Sequence, residues 1–150
     1  MHATTLSANS AWRFDHLSVN APAQDTAIDA LIEIFDLKPG YRPPFPFPGR
    51  WFYRGDDAIL HVVDDPKLST TRLNHLAFRF DAPLSDVVAR VAETGRPYSV
   101  ARIPASQIAQ VFVRITDELL IELDVPIRAD DPPPTDYRRT SDAPRSEKTR

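Results

Sequence analysis

The chain has 150 residues, of which 42% are hydrophobic and 26% are charged, a composition typical of one globular domain with a sizeable core. Its 18 Lys and Arg residues against 21 Asp and Glu residues give a formal net charge of -3, which argues against binding to nucleic acid or to an anionic membrane. The absence of cysteine excludes disulfides, thiolate zinc sites and iron–sulfur clusters. Any metal ligands must therefore be nitrogen or oxygen atoms.

Both ends of the chain differ in composition from its middle. Residues 127–150 are rich in proline and charge and poor in apolar side chains, which predicts a disordered tail. Residues 1–11 are predicted to form a flexible lead-in, which leaves residues 12–126 as a single folded domain. No window approaches the roughly 18 consecutive apolar residues of a membrane-spanning helix, and the N-terminus lacks the apolar core of a signal peptide. We therefore expect a cytoplasmic protein.

An internal repeat divides this domain into two modules, one of about residues 12–66 and one of about residues 71–126. The segment FDHLSVN in the first module resembles LNHLAFRF in the second, so His16 and His75 occupy equivalent positions. Two copies of one structural unit are therefore predicted.

Each module is predicted to contain a strand, a helix and three further strands, which is a βαβββ unit of the α+β class. In the first module, RFDHLSV alternates as a half-buried strand, and DTAIDALIEIFDL has helical spacing with Asp25 as N-cap and KPG as its end. In the second, HLAFRF is the strand, and LSDVVARVAETG is a helix that stops at Gly95. Residues 40–49, GYRPPFPFPG, are predicted as an extended edge or a loop, because proline cannot donate to a central ladder.

The last two strands of each module are predicted to pair as hairpins around the short polar turns RGDD and ITDE. WFYRGDDAILHVV in the first module resembles FVRITDELLIELD in the second, which makes His61 equivalent to Glu122. The predicted register places Trp51 opposite His61 and Phe112 opposite Glu122.

Strand alternation places His16, His75, His61 and Glu122 on the sheet face that points away from the helices. If the modules pack about a pseudo-twofold axis, these four side chains meet. Three imidazoles and a carboxylate suit a divalent ion such as zinc, iron, manganese, nickel or cobalt. The alternative, four separate hydrogen-bonded side chains, does not explain their repeat-equivalent positions, and an unpaired carboxylate within LLIELDV would be costly. The sequence therefore predicts one metal site.

These segments resemble the vicinal oxygen chelate superfamily of glyoxalases, bleomycin-resistance proteins and extradiol dioxygenases. The resemblance covers residues 12–126 and rests on DHLSV, on NHLAF and on QVFVRITDELLIEL. It implies two tandem βαβββ modules that form a cupped mixed sheet, with the helices on its convex face and one divalent metal ion inside. It also implies a homodimer, and a ligand set made of His16, His75 and Glu122. His61 stands where glyoxalase I has a second glutamate and methylmalonyl-CoA epimerase has a glutamine.

The resemblance implies a metal-dependent enzyme with a small-molecule substrate. The first hypothesis is a glyoxalase-like lyase or isomerase that polarises a small oxygenated substrate, with His61 as a fourth ligand and Glu122 or His61 as the catalytic proton carrier. The second is an Fe(II) extradiol-type ring-cleaving dioxygenase, although a fourth ligand would crowd the open positions that such an iron needs. The third is a non-catalytic drug- or metabolite-binding resistance protein, which would not need four polar positions.

Further residues on the same face are candidates for substrate binding. Arg79 and Arg114 could pair with a substrate carboxylate, enolate or phosphonate. Trp51, Tyr53 and Phe112 could form an aromatic wall. The alternative for each is an ordinary surface charge or a packing aromatic on a strand.

Overall fold

The structure is a computed structural model and describes residues 12–137. Its first half runs β1 (Trp12–Ala21), α1 (Ala27–Phe35), β2 (Lys38–Gly40), β3 (Gly49–Arg54) and β4 (Asp57–Asp64). Its second half runs β5 (Arg72–Phe80), α2 (Leu84–Glu93), β6 (Tyr98–Arg102), β7 (Ile108–Arg114) and β8 (Leu120–Pro126), followed by a short 3-10 helix, Pro134–Asp136. Each half thus follows the order strand, helix and three strands.

All eight strands form one mixed sheet in the order β2-β3-β4-β1-β5-β8-β7-β6. β1 pairs in parallel with β4, and β5 pairs in parallel with β8. The two halves meet where β1 and β5 run antiparallel. This is the predicted α+β class, with two helices and a mixed sheet.

Both helices cover the same face of the sheet. In α2 the predicted apolar stripe is buried and consists of Leu84, Val87, Val88 and Val91. It packs in a cluster with side chains of β7 and β8, namely Ala109, Val111, Val113 and Val125. In α1 the buried residue is Ile28, and its cluster includes Val19, Leu60 and Val62 of β1 and β4. The residues that alternate with these therefore lie on the opposite face, away from the helices.

The first helix ends differently from the sequence prediction. Asp36, directly after α1, adopts a left-handed conformation with φ of 51°. The KPG segment then forms β2 and pairs with β3, where a Cβ at Gly40 would lie 2.5 Å from the ring of Tyr53. Glycine is therefore required by this close approach and not by the helix end. The N-cap residue is Thr26 and not the predicted Asp25, although the Asp25 Oδ1, one residue earlier, accepts a hydrogen bond from the Ala27 amide at 2.9 Å.

Two β-bulges interrupt the pairing of β1 with β5. Three pairs between them are regular, with Leu17 opposite Leu76 at the centre, His16 opposite Ala77, and Ser18 opposite His75. Before these three pairs one residue of β1 has no partner in β5, and after them one residue of β5 has no partner in β1. The skipped residues, Asp15 and Asn74, immediately precede the two histidines. The same irregularity thus occurs at equivalent positions of the two halves.

The segment after β8 differs from the predicted tail over its first part. The Ile127 amide donates to the Gln107 carbonyl at 2.8 Å, Pro134 is buried, and Tyr137 packs against the core cluster of the second half. These few apolar side chains are enough to hold the segment against β6 and its neighbours. The predicted lead-in, residues 1–11, and residues 138–150 of the predicted tail lie outside the described residues. None of the helices within residues 12–137 is long and apolar enough to cross a membrane.

Candidate metal centre

Three side chains from the adjacent strands β1, β5 and β8 converge on the face without helices. The Nε2 atoms of His16 and His75 lie 3.3 Å apart, and Oε2 of Glu122 lies 2.5 Å from the His75 Nε2 and 3.7 Å from the His16 Nε2. Ala77 lies opposite both His16 and Glu122 in the strand pairing, and its small side chain leaves room above it. The exposed fractions of His16, His75 and Glu122 are 2%, 0% and 0%. We call these three residues the metal triad.

The hydrogen-bond partners of the imidazoles determine which atoms face one another. The Nδ1 of His16 lies 2.7 Å from Oδ2 of Asp15, and the Nδ1 of His75 lies 2.8 Å from Oδ1 of Asn74. Both partners are acceptors, so each Nδ1 carries a proton and each Nε2 faces Glu122, where it can offer a lone pair to an ion or hold a second proton.

The two Nε2 atoms and Oε2 of Glu122 meet where water is excluded, and three acceptor atoms this close require a positive charge between them. Oε1 of Glu122 accepts a hydrogen bond from the Gln110 side-chain amide at 2.7 Å, but Oε2 is buried and faces only the two Nε2 atoms, which donate to it only when they are protonated. Leaving such an oxygen unsatisfied is costly. Two imidazole nitrogens and a carboxylate oxygen within 4.8 Å of one another are a donor set that suits a divalent transition metal. The residues present therefore fit the predicted metal ion.

The electrostatics of the triad favour a shared positive charge. Burial by itself would lower the pKa of His16, but the hydrogen bonds and charges of Asp15 and Glu122 raise it to about 9. Burial would raise the pKa of Glu122, but the imidazoles of His75 and His16 hold it well below its usual range. In the metal-free protein a proton on His16 thus supplies the charge that an ion would supply.

Two more carboxyl groups lie behind His16. Asp15 also contacts Arg79, whose Nη2 is 3.3 Å from its Oδ1, and Asp124 has an oxygen 3.9 Å from the His16 Nδ1. Burial and the negative charges of Glu122 and Asp15 raise the pKa of Asp124 well above its usual range. Burial would raise the pKa of Asp15, but His16 and Arg79 lower it. Because Arg79 already supplies a positive charge here, this second group does not need an ion.

His61, the predicted fourth ligand, is not brought into the triad. Its ring is stacked between the rings of His16 and Trp51, at centroid distances of 3.5 Å and 3.7 Å. Its Nε2 lies 3.0 Å from the carbonyl oxygen of Ala58 and donates to it. Burial and the charge of His16 hold the pKa of His61 well below its usual value, so the ring is neutral. The predicted pairing of Trp51 with His61 is observed, and in this arrangement the two rings are stacked.

The three aromatic candidates for substrate binding have different surroundings. Trp51 covers the outer face of His61, and Phe112 lies opposite Glu122 with its ring edge-on to His75 at 5.7 Å. Phe112 is only 1% exposed, so it supports the imidazole from within the core. Tyr53 lies further along β3, where its hydroxyl donates to the carbonyl oxygen of Tyr41 at 2.5 Å.

The two arginine candidates also have protein partners. Arg79 contacts Asp15 with its guanidinium group, as described above. Arg114, at the end of β7, donates to the carbonyl oxygen of Asp117 at 3.5 Å. Through its contact with Asp15, Arg79 is connected to the triad.

The sequence analysis did not predict four residues that surround the triad: Asp15, Asn74, Gln110 and Asp124. Asp124 and Gln110 could have been found, because each is two residues away in its strand from a residue already assigned to the face. Asp15 and Asn74 could not, because simple alternation places the neighbour of a face residue on the other side. Only their equivalence within the motifs DH and NH signalled a shared role.

Comparison with known proteins agrees with this geometry at the level of the fold. No sequence family model matches the chain, and no curated protein matches it. Among solved structures, a methylmalonyl-CoA epimerase from Mycobacterium tuberculosis is 16% identical with a TM-score of 0.57, over 85% of this chain and 97% of that one. A hypothetical protein from Bacillus halodurans is 12% identical with a TM-score of 0.55, over 81% and 99%.

A longer similar structure is a variant of homoprotocatechuate 2,3-dioxygenase from Brevibacterium fuscum, which is 12% identical with a TM-score of 0.59. The match covers 77% of this chain but only 32% of the dioxygenase, so the chain spans about a third of that protein. The epimerase and the extradiol dioxygenases have the fold that the motifs DHLSV and NHLAF indicate. The chain therefore has the vicinal oxygen chelate fold.

Proposed function

We propose that the protein is a metal-dependent enzyme in which His16, His75 and Glu122 bind one divalent ion. The observation that carries the proposal is the convergence of the His16 and His75 Nε2 atoms on a buried carboxylate oxygen, Oε2 of Glu122, to which no other group among the described residues donates. A hydrophobic binding protein would have no use for this costly arrangement. That distinction disfavours the drug-binding alternative.

The reaction class that we propose is glyoxalase-like proton transfer on a small oxygenated substrate, of the lyase or isomerase type. A divalent ion at the triad would act as a Lewis acid and polarise a substrate oxygen. Glu122 serves as a ligand, because its Oε2 faces the two histidines and its Oε1 is held by Gln110. His61 is the candidate proton carrier, since it is neutral, its Nε2 is occupied by Ala58, and its Nδ1 remains as an acceptor.

A second candidate is an Fe(II) ring-cleaving dioxygenase. One specific observation favours it: His61 stands outside the triad, so the protein offers two histidines and one carboxylate, the ligand set of non-haem Fe(II) oxygenases with open positions. Crowding by a fourth ligand therefore no longer counts against this alternative.

Metal content is the first test. The bound metal content of protein purified without added metal would be measured by elemental analysis. The protein would then be titrated with zinc, and separately with Fe(II) under anaerobic conditions. We expect one ion per chain in the wild type and none in the double variant His16→Ala/His75→Ala. A wild-type chain that binds neither ion, or a double variant that binds like the wild type, would refute the proposal. A screen of thiol adducts of methylglyoxal, acyl-CoA esters and catechols would then separate the two reaction classes.

A further inference from the structure

We propose that Asp15 and Asn74 are a matched pair of positioning residues, placed by the two β-bulges to aim the Nε2 atoms of His16 and His75. This inference rests on the proposed metal site, and it concerns what holds the two imidazoles in place. Both residues lie outside the triad and act only through the histidines.

The backbone is the first argument. In a regular strand, adjacent side chains point to opposite faces, so Asp15 and Asn74 would point toward the helices. Each is instead the extra residue of a bulge, and a bulge redirects a side chain locally. As a result Asp15 contacts the His16 ring beside it at 2.7 Å, and Asn74 contacts the His75 ring beside it at 2.8 Å.

The symmetry of the two bulges is the second argument. They flank the central pair Leu17 and Leu76 at the same distance in opposite directions. A local twofold axis through this pair exchanges His16 with His75 and Asp15 with Asn74. The two side chains differ in charge, but both present an oxygen acceptor to Nδ1. The shared feature is therefore the acceptor and not the carboxylate.

Each acceptor is itself fixed by a further residue. Oδ1 of Asp15 lies 3.3 Å from the guanidinium group of Arg79. The side-chain amide of Asn74 donates to Oδ1 of Asn20 at 2.8 Å. Arg79, which the sequence predicted as a candidate for substrate binding, thus holds Asp15 in its observed orientation.

The chemical consequence is a fixed tautomer on both rings. Because Nδ1–H is donated to an acceptor, the lone pair resides on Nε2, and the hydrogen bond prevents the imidazole ring from flipping. Loss of such an outer partner typically costs about 10- to 100-fold in metal affinity. The bulges therefore organise the ligands of the triad before an ion is bound.

The test compares zinc affinities of full-length variants by competition with a chromogenic chelator. Asp15→Ala and Asn74→Ala remove the acceptors, and we expect each to weaken zinc binding by about 10- to 100-fold. Asp15→Asn and Asn74→Asp keep an acceptor oxygen, and we expect each to recover most of the loss. Asp29→Ala removes an exposed carboxylate from α1 and is the matched control, expected to bind zinc like the wild type.

A spectroscopic measurement separates positioning from a general loss of stability. In zinc-loaded protein, long-range proton–nitrogen NMR spectra should assign the Nδ1–H tautomer to His16 and His75. The conservative variants Asp15→Asn and Asn74→Asp should keep this pattern, which also covers the case in which an alanine variant does not fold. Wild-type affinity in both alanine variants, or an Nε2–H tautomer in the wild type, would overturn the inference. A wild type that binds no zinc would instead overturn the metal site itself.

Discussion

The imidazole of His61 lies almost flat against that of His16, with ring centroids 3.5 Å apart and an angle of 19° between the planes. An ion bound by an imidazole lies close to the plane of the ring, because the nitrogen lone pair lies in that plane. Two nearly parallel rings stacked face to face therefore do not direct their lone pairs at the same ion in this arrangement. This relationship separates His61 from the ligands, although the repeat makes it equivalent to Glu122.

The first prediction follows from this stacking. His61→Ala should keep one divalent ion per chain, whereas His75→Ala should lose it, and turnover should fall in both variants. The measurement is metal stoichiometry and zinc affinity of the two variants side by side. An equal loss of zinc in both would show that His61 rotates out of the stack to become a ligand.

The second prediction concerns the buried contact between Gln110 and Glu122. Gln110→Ala would leave Oε1 of Glu122 buried without a donor, which should destabilise the metal-free protein by about 1–3 kcal/mol. Urea unfolding in the presence of a chelator would measure the change. Gln107→Ala is a matched control because Gln107 is exposed, and it should change the stability little. Equal stability of the two variants would mean that the amide of Gln110 does not support the carboxylate.

The third prediction is a pH dependence of the metal-free protein. The pKa of His16 rises from 6.5 to about 9 on folding, so the folded state favours the protonated ring. The stabilisation is therefore complete below about pH 6.5 and is lost as the pH rises through about 9. The raised pKa of Asp124 acts in the same direction, because a group whose pKa is raised also loses its contribution as the pH rises.

Urea midpoints measured from acid to alkaline pH with chelator present would test this. The wild type should lose on the order of 3 kcal/mol between pH 6.5 and 9, and His16→Gln should lose much less. Saturating zinc should also flatten the wild-type curve, because the ion replaces the proton. A wild-type stability that rises over this range would contradict the assignment of the charge to His16.

Sequence reasoning recovered the features that depend on regular periodicity. The repeat predicted the order of elements, the hairpin registers of Trp51 with His61 and Phe112 with Glu122, and the face shared by the triad. It did not recover the bulges, because an extra residue in a strand leaves no mark in a short apolar pattern. Phe14 shows the effect: alternation groups it with His16, but the bulge turns it to the other face, where it contacts Phe78 edge-on at 5.9 Å.

The role of His61 was also beyond the sequence. Equivalence within the repeat fixes the strand position and the face, but the ring orientation depends on contacts with Trp51 and Ala58, which no repeat encodes. The same holds for the chain after β8, where composition indicated disorder. Nevertheless, Ile127 and Tyr137 pack against the core cluster of the second half, and Pro134 is buried.

The last prediction concerns that segment and uses two truncations. Ending the chain after Pro126 removes Ile127, Pro134 and Tyr137, of which Pro134 is buried and the other two pack against the core cluster. Full burial of one apolar side chain is worth about 1.5–3 kcal/mol, and ordering the segment offsets part of this gain. The shorter chain should therefore melt at a temperature lower by several degrees.

Ending the chain after Tyr137 is the control for this change. It keeps those three contacts and removes only residues 138–150, whose composition of charged and small polar residues gives little apolar surface to bury. We expect its melting temperature to match that of the full chain. Equal melting temperatures for both truncations would show that the contacts of Pro134 and Tyr137 contribute nothing to stability, as the composition alone suggested. A much lower melting temperature for the chain that ends after Tyr137 would place the stabilising contacts beyond that residue.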